Sequence, residues 1–201
     1  MANPRRTLRR SVPPLWLIGL CLFLPTVRAC ERLQSPADFL VGDKGWFIAL
    51  LTPYVVAQIL GILAIVALAR GRVGRGISVA TAGLVLAGGS SAVALSMVGF
   101  DGRRFDEAVW SCLAGAAFVA GVLVMARARR LEPWTRLARL HAAFTIFTLP
   151  LAALIVRIAV GDGLHKIGVG APLFVVAVAA LVVVHAGGLS RAPDPVVSSS
   201  A

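Results

Sequence analysis

Two histidines are the residues of this chain whose type and spacing could do chemistry. His141 and His185 lie in separate apolar stretches, each 22 residues from Gly163. If the two stretches form a helical hairpin that turns near Gly163, the two imidazoles lie at a similar depth. Facing imidazoles can ligate a haem iron axially or contribute to a metal site. The spacing predicts a candidate haem site, with interfacial hydrogen bonding as the alternative; no other cofactor is expected.

Two polar residues inside apolar stretches could line a path for a small solute. Gln58 follows Pro53, whose missing N–H can kink a helix and open a cavity. Arg157 lies near the outer end of its stretch, where it could bind an anion. The alternatives are an interhelical hydrogen bond for Gln58 and contact with the outer headgroups for Arg157.

The cysteines offer a third kind of chemistry. Cys30 and Cys112 are both expected near the outer face of the membrane, where oxidising conditions permit a disulfide. Buried free thiols are the alternative.

Motifs for catalysis are missing from the sequence. It contains no His-Glu-x-x-His, Gly-x-Ser-x-Gly or Cys-x-x-Cys pattern. The apolar stretches contain no Asp or Glu, the residues that proton-coupled transporters commonly use as relays. We therefore expect a protein that is not an enzyme.

Six apolar stretches must position these residues. Most approach the roughly 20 residues that a helix needs to cross a bilayer. Hydrophobic residues make up 58% of the 201 residues and charged residues only 14%, against about 25% in soluble domains. We predict an all-α, polytopic transmembrane helix bundle, with stretches at about 12–29, 46–69, 76–99, 108–126, 141–160 and 167–189.

Charge alternates along the gaps between these stretches. The two tails and the second and fourth gaps carry 13 of the 20 Lys and Arg residues, whereas the other gaps carry 7 of the 9 acidic residues. Short Lys/Arg-rich segments remain in the cytoplasm. We expect both termini inside, and we assign the net charge of +11 to topology and to anionic lipid headgroups rather than to nucleic acid.

The first stretch permits three interpretations. A cluster of arginines precedes an apolar run, and Val27-Arg28-Ala29 resembles the small-x-small site of a cleaved signal peptide. Cleavage would leave five spans; retention would leave six; a lipidated Cys30 is the third alternative. The predicted parts are 1–29 as a basic tail with signal or anchor, 30–45 as an outer loop, 46–189 as the bundle and 190–201 as a disordered tail.

Two packing expectations follow from residue patterns. Small residues recur at four-residue spacing in the third stretch and are frequent in the fourth, so these two should form the central contact of the bundle. Leucines and Trp134 recur every third residue among arginines over 127–140, which predicts a short interfacial helix.

Three functions remain open. The first is a non-enzymatic accessory or assembly component, acting through a membrane-protein partner or as a homo-oligomer. The second is a small-solute permease or channel subunit that uses Gln58 and Arg157. The third is a bis-His, haem-binding electron carrier. Only two lysines accompany 18 arginines, which indicates a GC-rich bacterial genome and hence an inner-membrane location.

Overall fold

The protein is almost entirely helical. The computed structural model describes residues 3–29, 32–41, 45–98, 105–161, 163, 165 and 167–189, and 85% of it is helix. The elements are α1 (Pro4–Leu20), β1 (Val27–Ala29), β2 (Arg32–Gln34), a 3-10 helix (Pro36–Val41), α2 (Gly45–Ala69), α3 (Arg75–Gly88), α4 (Ser90–Val98), α5 (Phe105–Ala128), α6 (Pro133–Gly161) and α7 (Gly170–Leu189).

Five helices within the described residues are long and apolar enough to cross a membrane. They are α2, the α3–α4 pair, α5, α6 and α7. The predicted transmembrane helix bundle is confirmed to that extent. The sixth predicted stretch, 12–29, is not among the five, so the count of six is not confirmed.

Helix α1 differs from the prediction at both ends. It begins at Pro4 because Asn3 caps it, the Asn3 side chain accepting a hydrogen bond from the Arg5 N–H at 3.0 Å. It ends at Leu20, and the chain then turns into β1. The predicted basic tail is therefore part of a helix. The bundle begins at α1 rather than at residue 46, because α1 packs against α2, α6 and α7.

Helix α6 is the centre of the bundle, and the expectation that the third and fourth stretches form the central contact is wrong. Helix α6 contacts α1, α3, α4, α5 and α7, and α5 is the least buried of the five candidate spans. Two glycines of these stretches make room for aromatic rings of α6 rather than for contact between helix backbones. A Cβ on Gly88 would lie 2.9 Å from the Phe144 ring, and one on Gly121 would overlap Phe147.

The segment 127–140 is not a separate helix. Helix α5 continues to Ala128, and α6 runs unbroken from Pro133, the position expected for a proline in the first turn. Leu137 is fully buried against Leu8 and Ala67. Because Leu137 packs against α1 and α2, it lies inside the bundle. In an interfacial helix it would lie in the headgroup layer instead.

The end of the bundle opposite the start of α1 carries a small cap. The antiparallel strands β1 and β2 pair Val27 with Gln34 and Ala29 with Arg32. The segment before β1 joins α7, because the Gly168 N–H donates to the Thr26 carbonyl at 2.9 Å and the Gly170 N–H donates to the Pro25 carbonyl at 2.8 Å. A Cβ at Gly168 would meet the Pro25 carbonyl, so this close approach requires glycine.

Candidate functional site

Helix α1 and the α2–α3 and α5–α6 turns meet at one end of the bundle, here called the basic end. Arg5 joins all three: its guanidinium lies 4.5 Å from the centre of the Trp134 ring and donates to the Gly71 carbonyl at 3.3 Å. The arginines that the sequence places in one set of gaps therefore lie at one end of the molecule.

His141 lies two turns into α6 from the basic end and is only 1% exposed. Its Nδ1 is 3.2 Å from the Ser11 hydroxyl of α1. That hydroxyl has one hydrogen, which it donates to the Leu8 carbonyl at 2.8 Å. Both contacts are satisfied together when Ser11 accepts from His141, with the ring proton on Nδ1 and a lone pair on Nε2.

The lone pair of His141 Nε2 is buried and has no hydrogen-bond partner among the described residues. His185 Nε2 on α7 is likewise buried and has no hydrogen-bond partner among the described residues. Both histidines that the spacing singled out therefore carry an unpartnered ring nitrogen inside the bundle. A buried imidazole nitrogen is costly unless a group such as a water binds it.

Where the structure describes the chain, no cluster of three or more His, Cys, Asp and Glu residues could hold a metal ion. Metal-ligating histidines usually donate their other ring N–H to an orienting acceptor, as His141 does to Ser11. Ligation of a haem iron by His141 and His185 stays a prediction.

Gln58 ties α2 to α1. Its amide donates to the Trp16 carbonyl at 3.1 Å, and its side chain occupies the space that a Cβ on Gly19 would fill. The contact is reciprocal, because the Trp16 ring lies against Gly61 of α2. This geometry corresponds to the interhelical alternative for Gln58.

Arg157 lies in the other half of the bundle, between α6 and α5. Its guanidinium lies 5.8 Å from the centre of the Trp110 ring, and both residues line a 70 Å³ cavity with Glu107. Since Gln58 contacts α1 and Arg157 faces α5, the structure does not bring the two candidate path residues together.

Hydroxyl groups in the candidate spans mostly bond to the helix that carries them. Thr52, Thr81, Ser96, Ser111 and Thr148, for example, each donate to a carbonyl three or four residues earlier. Each of these hydroxyls therefore has its one hydrogen engaged within its own helix.

The predicted disulfide falls partly outside the described residues. Cys30 is not described, and Cys112 is exposed on α5. The pairing of Cys30 with Cys112 stays a prediction.

Sequence reasoning did not single out Ser11, which precedes the first apolar stretch, at 12–29, whose retention or cleavage the sequence left open. It treated Arg75, Arg129 and Arg136 as topology signals and as general contacts for anionic headgroups, although all three line one cavity between α3, α5 and α6. No local sequence signal pairs Ser11 with His141, since 130 residues separate them. Comparison of the chain with protein-family models, curated proteins and solved structures finds no match.

Proposed function

We propose that this chain is a non-enzymatic, multi-pass protein of a bacterial inner membrane and serves as an accessory or assembly component of a membrane complex. The observation that supports this most directly is how the polar side chains are used. Gln58 and Arg5 join elements of the bundle, and the helix hydroxyls bond to their own backbone. A permease would instead need polar groups that converge on a shared path.

The contact between Ser11 and His141 also favours a structural role. A serine nucleophile must give its hydroxyl proton to the histidine. Ser11 donates to the Leu8 carbonyl instead, and both Ser11 and His141 are buried. The pair therefore orients the imidazole and does not activate a nucleophile.

The basic end is proposed to face the cytoplasm. Arg5, Arg75 and Arg129 are exposed at this end, and short basic segments stay inside. Both ends of the chain are then cytoplasmic, and the β1–β2 cap lies outside.

Helix α5 is the surface that we assign to a membrane-protein partner. It is the least buried candidate span, and Ala116 and Ala120 lie on its exposed side at four-residue spacing. Small residues at this spacing let another helix approach closely in a membrane. Gly115 beside them has open space where a Cβ would be.

Purification in a gentle detergent from the native host tests the accessory proposal. We expect a stoichiometric integral membrane protein in the sample, identified by mass spectrometry. Its recovery should fall several-fold in an Ala116→Leu, Ala120→Leu variant, because the added side chains block helix contact. Val176→Leu, on the exposed side of α7, is the matched control. A protein that purifies alone would contradict the proposal and lead to flux assays of Gln58 and Arg157 variants.

The second candidate is a bis-His electron carrier, favoured by the two unpartnered Nε2 atoms. Haem held by two imidazoles supplies one-electron transfer. His141 and His185 would hold the iron, and Ser11 would fix the His141 ring.

Haemin titration of the purified protein tests this candidate. We expect a low-spin Soret band that is lost in both His141→Ala and His185→Ala and is shifted in Ser11→Ala. His165→Ala is the control, because His165 is exposed. A Soret band that survives the loss of either buried histidine would exclude the pair as axial ligands.

A further inference from the structure

A cleft of about 370 Å³ lies between α3, α5 and α6 at the basic end. Helices α3 and α5 pack mainly on neighbouring elements rather than on each other, so a gap remains between them above α6. Residues from all three helices line this gap, and the floor is formed by Leu140 and Arg136 of α6. The volume falls within the range of small-molecule sites, roughly 300–1,000 Å³.

Three arginines line the cleft: Arg75 of α3, Arg129 after α5 and Arg136 of α6. The lining residues include no acidic side chain, as far as the structure describes the chain. Arginine is the residue best suited to bind phosphate oxygens, because its N–H groups form a planar fork. The positive charge of the cleft therefore favours the binding of an anion.

Arg136 provides the most specific indication that the cleft accepts an anion. One Nη donates to the Arg129 carbonyl at 3.0 Å and to the Leu131 carbonyl at 3.1 Å, which fixes the guanidinium against the α5–α6 turn. Its Nε is buried and has no acceptor among the described residues. An anion in the cleft would supply that acceptor and relieve the cost of an unsatisfied buried donor.

The first turn of α3 adds to this preference. Arg75 and Ser78 of that turn line the cleft, and the N-cap residue Gly74 offers no side chain to the first N–H groups. Unsatisfied N–H groups and the positive end of the helix dipole attract anions.

The rest of the cleft is apolar and faces outward from the bundle. Val79, Leu86 and Val122 line it and are 64%, 50% and 36% exposed, and Met125 lies deeper. In a membrane, this outward side meets acyl chains. A free inorganic anion would gain nothing from such walls, whereas an amphiphile matches both parts of the cleft.

We propose that this cleft binds one anionic phospholipid, with the phosphate at Arg75, Arg129 and Arg136 and an acyl chain between α3 and α5. Binding at this cleft differs from the general attraction of a basic surface to anionic headgroups, because it is saturable and depends on defined residues. It does not depend on the accessory role proposed above.

The test uses the full-length protein in nanodiscs, with native mass spectrometry and lipid extraction as readouts. The probes are phosphatidylglycerol, zwitterionic phosphatidylcholine and inorganic phosphate. We expect one retained phosphatidylglycerol per chain and an Arg75→Gln, Arg129→Gln variant that binds it about tenfold more weakly. Both arginines are exposed, so the variant should fold.

Two further variants separate the site from general charge. Arg127→Gln, Arg130→Gln removes two exposed arginines of the same end that do not line the cleft, and it should bind as the unmodified protein does. Ala82→Phe fills the apolar part of the cleft and should also weaken binding. Equal loss in the two arginine pairs, equal retention of phosphatidylcholine, or competition by inorganic phosphate alone would each overturn the proposal.

Discussion

Replacing Gly121 by leucine is expected to prevent the bundle from packing. A Cβ at this position of α5 would overlap the Phe147 ring of α6, which is itself fully buried. Overpacking a filled interior commonly costs about 1–3 kcal/mol, and here a whole side chain must be displaced. Since typical total stability is about 5–15 kcal/mol, we expect a large loss of folded protein. Thermal unfolding in detergent and recovery of monodisperse protein measure the effect.

Gly115→Leu is the matched control on the same helix. No atom lies within 4 Å of a Cβ placed there, so the substitution meets open space. Both changes gain the same helix propensity, about 1 kcal/mol relative to glycine, and the difference between them isolates packing. Shortening the opposing ring with Phe147→Ala should partly restore a Gly121→Leu chain. Equal melting temperatures for the two glycine variants would contradict this account of α6.

The purified protein is expected to retain α1, with an intact mass that includes residues before position 30. Leu8, Leu15 and Ile18 of α1 are fully buried in the bundle. Ser11 orients His141, and Trp16 accepts from Gln58. Removing α1 would expose all these contacts at once, which argues for a retained helix rather than a cleaved signal.

Point variants in α1 measure its contribution without relying on cleavage. Leu15→Ala is expected to cost about 2–5 kcal/mol, because it leaves a cavity between α1 and its neighbours. Leu20→Ala is the control, since Leu20 is 53% exposed. Equal stability of the two variants, or an intact mass that begins near residue 30, would show that α1 is not part of the mature core.

The differences between prediction and structure concern contacts that are distant in sequence. Small residues in the third and fourth stretches predicted contact between those two helices, but two of the glycines face another helix. Gly88 and Gly121 accommodate Phe144 and Phe147 of α6, which come from a stretch with no small-residue pattern. Periodicity identifies the face of a helix that packs; it does not name the helix that packs on it.

The first stretch shows the limit of local signals most clearly. A basic cluster followed by an apolar run is typical of targeting segments and of membrane anchors alike. Pro13 and Pro14 each remove a backbone donor from the interior of this stretch, yet α1 runs through them. The carbonyls of Arg9 and Arg10, which lose their donors to these prolines, belong to exposed residues that solvent or headgroups can satisfy.

The sequence by itself determined the class of protein and the position of its candidate spans. Hydrophobic length suffices for this, because a helix in a membrane satisfies its backbone internally and needs no partner. The equal spacing of His141 and His185 from Gly163 also predicted that the two side chains lie at a similar depth in the bundle, because the rise per residue is fixed in a helix. Only the tertiary structure decided that α1 packs into the core, that Ser11 contacts His141 and that three arginines share one cleft. These are contacts between residues that are tens of positions apart in the sequence. Such contacts are set by how the helices pack, which a local sequence pattern does not reveal.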